Sequence, residues 1–211
     1  METKKMKITW HGHSCFLVEA EEYRIVLDPF EEVPGYRTPD LTAEEALPSH
    51  GHSDHNHLLA VKVPLMLKHS PFTVKKEACW HDPEQGALRG PNTIHILEAC
   101  GLRAVHLGDL GEDLSEERIR ALGPCDVLMT PVGGFYTIDG VQAARLVKIL
   151  QPRVVIPMHY RNGELGFPVI SEVTPFLEAL EGEGWPVKKY ETNCLELTAE
   201  TERQIALLKY L

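Results

Sequence analysis

Short apolar runs rich in Ile, Val, Phe and Tyr, parted by polar or glycine-containing turns, predict strands over residues 7–10, 15–20 and 23–27. The third run stops at Asp28-Pro29, where proline ends the pairing. Residues 30–48 carry Pro34, Pro39 and Pro48 and read as loop. Runs at 61–67 and 72–79 again predict strands, although Pro64 confines the first to a sheet edge. Further strands are predicted over 93–98, 102–107 and 126–130, the last of buried type, and a short helix over 113–122. Asp139 can cap the next helix, with Gln142 in a capping-box relation, and Pro152 stops that helix after about Leu150. A strand over 153–156, a helix over 171–180 and strands over 195–198 and 204–208 complete the pattern.

Strands come first, and strand–helix alternation is confined to the second half. That order suits a layered α/β fold built around sheets rather than a pure Rossmann alternation. No repeat, linker, dinucleotide-binding or phosphate-loop glycine signature interrupts it, so residues 1–211 read as one domain. The 211 residues are enough for a sizeable core, and 43% hydrophobic with 25% charged residues is ordinary for a soluble globular protein. No apolar run is long enough to span a membrane, and the first six residues lack the apolar centre of a signal peptide. A cytoplasmic location is the default expectation. The net charge of −10 argues against broad nucleic-acid binding, which needs basic surface. Cys15, Cys79, Cys100, Cys125 and Cys194 are scattered and odd in number, as reduced, mostly buried thiols would be.

One stretch does not follow from packing. Residues 50–55 spell H-x-H-x-D-H, with His50, His52, Asp54 and His55 offering three imidazoles and a carboxylate within six positions. Divalent metals take this donor set. Two histidines at i, i+2 can face one ion, and Asp54 and His55 can follow the chain to a second. Three later positions sit at predicted strand ends, where sheet scaffolds present ligands: His81, Asp109 and His159.

These residues carry a resemblance. The chain is similar to the metallo-β-lactamase fold superfamily, and within it to the small UlaG-like or UPF0173-like metal-dependent hydrolases. The matching pieces are Gly12-His13-Ser14, residues 25–30, residues 49–55, His106-Leu107-Gly108-Asp109, Pro131-Val132-Gly133-Gly134 through Tyr136-Thr137-Ile138-Asp139, and Pro157-Met158-His159-Tyr160. They span roughly residues 7–160. The H-x-H-x-D-H element is specific for the superfamily, and the last two pieces narrow it to the subgroup.

The resemblance implies a four-layer αββα sandwich with two metal ions at one edge of the sheets. Carried over by position, His50, His52 and His81 hold the first ion, Asp54, His55 and His159 the second, and Asp109 bridges them. His106 competes with His81. A separate strand end favours His81, and His106 and Asp109 would point to opposite faces of an extended strand. Asp28 is read as fixing the histidine loop by hydrogen bonds. His13 and His11 either approach the cleft or serve structure. Tyr136 and Tyr160 either donate to substrate or pack.

The implied activity is a dinuclear metal-dependent hydrolase. A bridging hydroxide, oriented by Asp54, would cleave an ester, lactone or related bond in a small molecule. Zinc is the default metal, with manganese or iron as alternatives, since no cysteine falls at a ligand position. Two other readings stand beside it: a metal-dependent phosphodiesterase acting on nucleotides or RNA, which the acidic balance disfavours, and a non-catalytic metal-binding protein. No membrane partner is implied, and the resemblance allows a homo-oligomer.

Overall fold

The computed structural model describes residues 4–66 and 68–211. Strands β1 (Met6–Trp10), β2 (Phe16–Ala20) and β3 (Tyr23–Leu27) form an antiparallel meander. Met6, Ile8 and Trp10 on β1 and Phe16, Val18 and Ala20 on β2 turn into the core, while Lys7, Thr9, Leu17 and Glu19 between them stay at least partly exposed. This is the period-two alternation of a sheet with one covered face.

The segment 30–48, expected to be loop throughout, holds two short strands, β4 (Leu41–Thr42) and β5 (Glu45–Leu47). Strand β5 runs parallel to β3 at the sheet edge. Arg24 on β3 pins it there: its Nη2 and Nε donate to the two carboxylate oxygens of Glu44 at 3.0 and 3.2 Å. A two- or three-residue strand held by a side-chain clamp has no periodicity to reveal it.

The strand expected over 61–67 reduces to β6 (Val61–Lys62), paired with β4. Pro64 lacks the amide that would extend the pairing. Leu67 of that expectation lies outside the described residues.

The second sheet is larger. Strands β7 (Thr73–Trp80), β8 (Pro91–Ala99) and β9 (Leu102–His106) are antiparallel. Strands β10 (Val127–Pro131), β11 (Val154–Met158), β12 (Val187–Lys189) and β14 (Gln204–Leu207) continue the sheet in parallel. The order is β12-β14-β11-β10-β9-β8-β7. Strands β10 and β11 are buried at every position, as central parallel strands covered on both faces are. Strand β12 escapes sequence reading because all three of its residues are exposed. Strand β13 (Cys194–Leu197) returns to pair with β1, giving the first sheet the order β13-β1-β2-β3-β5. The last two strands therefore join one sheet each.

Three helices complete the α/β sandwich: α1 (Glu116–Ala121), α2 (Gly140–Leu150) and α3 (Thr174–Ala179). Helix α2 packs against both others and lies on β10. Asp139 caps it as the sequence predicts: its Oδ1 accepts the Val141 and Gln142 amides at 2.9 Å, and Gln142 Oε1 accepts the Asp139 amide at 3.0 Å. Helix α1 starts three residues later than expected, after Ser115, whose Oγ accepts the Arg118 amide. Helix α3 is also shorter than expected, because Pro175 fits only in a first turn.

The two sheets meet over a continuous apolar core, into which two imidazoles are built. His106 donates from Nε2 to the Ser14 carbonyl at 3.0 Å and accepts the Gly108 amide at Nδ1 at 3.1 Å. This ties the end of β9 to the β1–β2 turn. His95 on β8 is 1% exposed, and burial pushes its pKa down to about 4.

The unfolded chain protonates His95 near pH 6.5, whereas the folded chain does so only near 4. Unfolding therefore takes up a proton between those values, and stability falls as pH drops through the window. His95 accounts for about 3 kcal/mol of that loss. Urea titrations at pH 7.5 and 4.5 should show a correspondingly smaller loss in His95→Phe. Equal losses in both proteins would mean that His95 does not remain neutral in the core.

Candidate metal centre

The centre begins at the end of β3. Asp28 is fully buried, and both of its carboxylate oxygens are engaged. Oδ1 accepts the Ser49 amide at 2.6 Å, and Oδ2 accepts the Ser49 hydroxyl at 2.8 Å and lies 2.7 Å from His55 Nδ1. A carboxylate only accepts, so His55 carries its proton on Nδ1. The Ser49 hydroxyl proton is engaged with Asp28, so His50 Nδ1, 2.9 Å away, donates to Ser49 Oγ. One carboxylate thus fixes the Nδ1 proton of two histidines, so that each, when neutral, turns its Nε2 lone pair inward. Burial raises the Asp28 pKa, but the charge and hydrogen bond of His55 outweigh it and hold the carboxyl at about 2.

Three groups of donor atoms converge beyond those lone pairs. In each, the atoms lie within 4.8 Å of one another: His50, His52 and His81; His13, Asp54, His55 and His159; and His50, His55 and Asp109. Asp109 Oδ2 lies 3.2 Å from His55 Nε2, 3.4 Å from His81 Nε2 and 3.1 Å from His159 Nε2. A single buried carboxylate oxygen therefore touches imidazoles of both histidine groups.

Strand ends position these side chains. His81 follows β7, and its amide donates to the Gly90 carbonyl at 3.1 Å. Asp109 lies three residues beyond β9, where its amide donates to Asn92 Oδ1 at 3.0 Å while Asn92 Nδ2 donates to the Leu107 carbonyl. His159 follows β11, and its carbonyl packs so closely on Gly133 that a Cβ there has no room. Asp28, His13 and His159 all hold left-handed backbone, with φ of 46°, 50° and 51°. Such a conformation costs a non-glycine residue on the order of 1 kcal/mol and persists where surrounding structure enforces it.

The charge balance bears on what the centre can hold. Burial and His55 push His50 down to about 3; burial and His159 push His13 down to about 4. Burial also lowers His55, but Asp109 and Asp28 outweigh it and raise His55 well above its ordinary value. Asp54 and Asp109 are held well below the usual carboxylate range by their imidazole neighbours, against the upward pull of burial. Three carboxylates, Asp28, Asp54 and Asp109, are gathered here. Among the described residues, no Lys or Arg pairs with any of them.

Several buried atoms also lack any hydrogen bond: both ring nitrogens of His13 and His159, Nε2 of His50 and His55, and both oxygens of Asp109. An orphaned buried polar atom costs about 1–3 kcal/mol. Divalent cations would satisfy the orphaned donors and the charge excess together, so the residues present fit a metal.

Comparison with known proteins agrees with this chemistry. Residues 7–159 match the beta-lactamase superfamily domain. A UPF0173 metal-dependent hydrolase of Carboxydothermus hydrogenoformans is 30% identical, over 79% of this chain and 88% of its own length. One from Desulforamulus reducens is 31% identical, over 83% and 92%. A crystal structure from Thermotoga maritima, assigned to the zinc-dependent hydrolases of the metallo-β-lactamase superfamily, is 34% identical, covers 96% of this chain and 98% of its own, and superposes with a TM-score of 0.74. The chain belongs to the metallo-β-lactamase superfamily, among its metal-dependent hydrolases.

Within this hydrolase, His81 and His106 are placed differently. His81 meets His50, with ring centroids 4.6 Å apart, whereas both nitrogens of His106 are committed to backbone. His13, left open by the sequence, stands in the second group with Nε2 3.6 Å from Asp54 Oδ2. His11, His57, His69 and His95 belong to none of the three groups. Tyr160 packs away from the centre, stacked on Trp10 at 6.2 Å. Tyr136 flanks it, its ring 6.5 Å from that of His159. Cys79 is no ligand either; its Sγ accepts from Asn92 Nδ2. Asn92, which orients Asp109, carries no motif of its own, and only the hydrogen-bond network exposes it; Ser49 lies in the matched stretch 49–55, but its hold on His50 appears only in that network.

Asp28→Asn replaces an acceptor oxygen by an NH2 that cannot serve both Ser49 and His55. Metal affinity should fall about 10- to 100-fold. Chelator competition measures it, and unchanged affinity would mean that Asp28 does not orient the donors.

Proposed function

We propose that this chain is a dinuclear hydrolase that cleaves an ester, lactone or related bond in a small molecule. The observation that supports this most is Asp109 Oδ2, which lies within 3.4 Å of His55, His81 and His159 and so stands between two donor groups. His50, His52 and His81 would hold one divalent ion. Asp54, His55 and His159, with His13 beside them, would hold the other. The bound ions supply Lewis acidity and a water acidic enough to attack at neutral pH. The all-nitrogen-and-oxygen donor set favours zinc, with manganese and iron as the alternatives.

The chain's own residues divide the remaining work by exposure. The Asp109 side chain is 1% exposed and serves to fix the two donor groups relative to each other. The Asp54 side chain is 20% exposed and is the carboxylate that incoming water and substrate can reach. With its pKa held low, Asp54 stays ionised and would orient the attacking water by accepting a hydrogen bond from it. Tyr136, whose ring lies 6.5 Å from that of His159, would be the side chain to donate to the oxygen that gains charge on attack.

Purified protein should carry about two metal equivalents per chain if both donor groups fill. Asp109→Ala should lower that number and reduce turnover of a lactone or acyl ester about 1,000-fold or more. Full metal content with unchanged turnover in the variant would mean that Asp109 does not tie the two donor groups together, and one equivalent or none in the wild type would remove the dinuclear reading.

A further inference from the structure

A cleft of about 550 Å³ opens beside the centre, between the loop that follows His81 and the loop that precedes α2. That size suits a small ligand. Its lining includes Leu88, Arg89, Phe135 and Tyr136, together with Glu112 and Asp113.

Arg89 carries a charge that no carboxylate neutralises. Arg24, Arg118 and Arg153 each pair with one, but among the described residues Arg89, like Arg37, Arg145 and Arg203, does not; of these four, Arg89 lines the cleft. Its Nη2 donates to the Phe135 carbonyl at 3.1 Å, and its guanidinium carbon lies 5.7 Å over the Tyr136 ring. Tyr136 is the ring that borders His159. A half-buried cation is thereby held one aromatic ring away from the metal donors, with donors to spare. The chain as a whole carries −10, so its overall field would not gather an anion; a local cation has to.

The loop that presents Arg89 is built to stay in place. Asp82, next to His81, is fully buried, and its carboxylate accepts four backbone amides: Glu84 at 2.8 Å, Gly86 at 3.0 Å, Leu88 at 3.1 Å and Arg89 at 2.7 Å. Burial raises the Asp82 pKa, but these amides outweigh it and lower it. Across the cleft, Phe135 holds a left-handed backbone, φ 61°, that turns a bulky aromatic outward at 64% exposure. Leu88 is exposed to a similar degree, 65%. Cost without burial is characteristic of binding loops.

The two acids limit the charge of the ligand. Glu112 is held by Arg118 and the Trp80 amide, and Asp113 accepts from Gln142. Both remain carboxylates in the cleft wall and oppose a dianion such as a phosphate monoester. One carboxylate, matched to the planar fork of a guanidinium, is the better fit.

We infer that Arg89 binds a carboxylate on the substrate, so that this hydrolase prefers monoanionic esters or lactones whose acyl part carries a terminal carboxylate. Leu88 and Phe135 would cover the apolar middle of such a molecule. The inference rests on the hydrolase reading above and adds the substrate class.

Paired substrates test it. Metal-loaded protein is assayed on the mono-p-nitrophenyl ester of glutaric acid, on p-nitrophenyl butyrate, and on an analogue bearing a terminal phosphate. Wild type should favour the glutarate ester over the other two by about 10- to 100-fold in kcat/KM. Arg89→Leu should collapse that preference mainly through KM, and Arg89→Lys should keep part of it. Equal use of glutarate and butyrate esters by wild type, or a preference that survives Arg89→Leu, overturns the inference. Preference for the phosphate analogue overturns the choice of carboxylate.

Calorimetry with glutarate on wild type and Arg89→Leu, at equal metal content, provides a second readout. If no ester is turned over but glutarate binds wild type at least 10-fold tighter than the variant, the hydrolase reading fails and the carboxylate site stands. If glutarate binds both equally, the site fails whatever the turnover.

Discussion

A carboxylate removed from water needs a donor on each oxygen, and Asp28 finds its donors at both ends of the histidine run, in Ser49 and in His55. Break that match and a buried charge is left unpaired, at a cost of several kcal/mol. The chain between Ser49 and His55 is therefore not free to choose its path. It must turn so that Ser49 reaches one oxygen and His55 the other, and the same turn aims His50 inward through Ser49. His50 and His55 face the centre because their outer nitrogens are already taken.

The centre also needs two sheets to agree. Asp28 and the residues 49–55 belong to the edge of the five-stranded sheet; His81, Asp109 and His159 project from the ends of β7, β9 and β11 in the seven-stranded one. The core holds these halves together broadly, and two hydrogen bonds do so beside the centre: the His159 amide donates to the His13 carbonyl at 3.4 Å, and His106 bridges from the end of β9 to the Ser14 carbonyl in the same turn. A histidine three residues from Asp109 thus serves the centre by fixing its frame.

Carboxylates divide the labour by depth. Asp109 and Asp28 are out of water and act on imidazoles; Asp82 is equally buried but spends its charge on backbone amides, shaping the loop that leads to Arg89. Asp54 alone among the centre's carboxylates keeps appreciable contact with solvent. The exposed aromatic Phe135 and the pair of Arg89 and Tyr136 line the neighbouring cleft.

Much of this was legible before any coordinates. The run from His50 to His55 places four donors within six residues, so short-range geometry alone lets them share a neighbourhood. Strand ends at His81, Asp109 and His159 follow from apolar runs stopping, and the cap of α2 from Asp139 and Gln142 lying three residues apart. Those features are local, and sterics and hydrogen bonding within a few residues decide them. Which distant strand ends meet is another matter. That His81 and not His106 reaches His50, that His13 joins Asp54 from forty residues away, that Asn92 holds Asp109, and that β5 and β12 exist at all depend on sheet order and edge pairing. An apolar pattern specifies which face of a strand is buried, but not which strand lies beside it, and only the packed tertiary structure decides that.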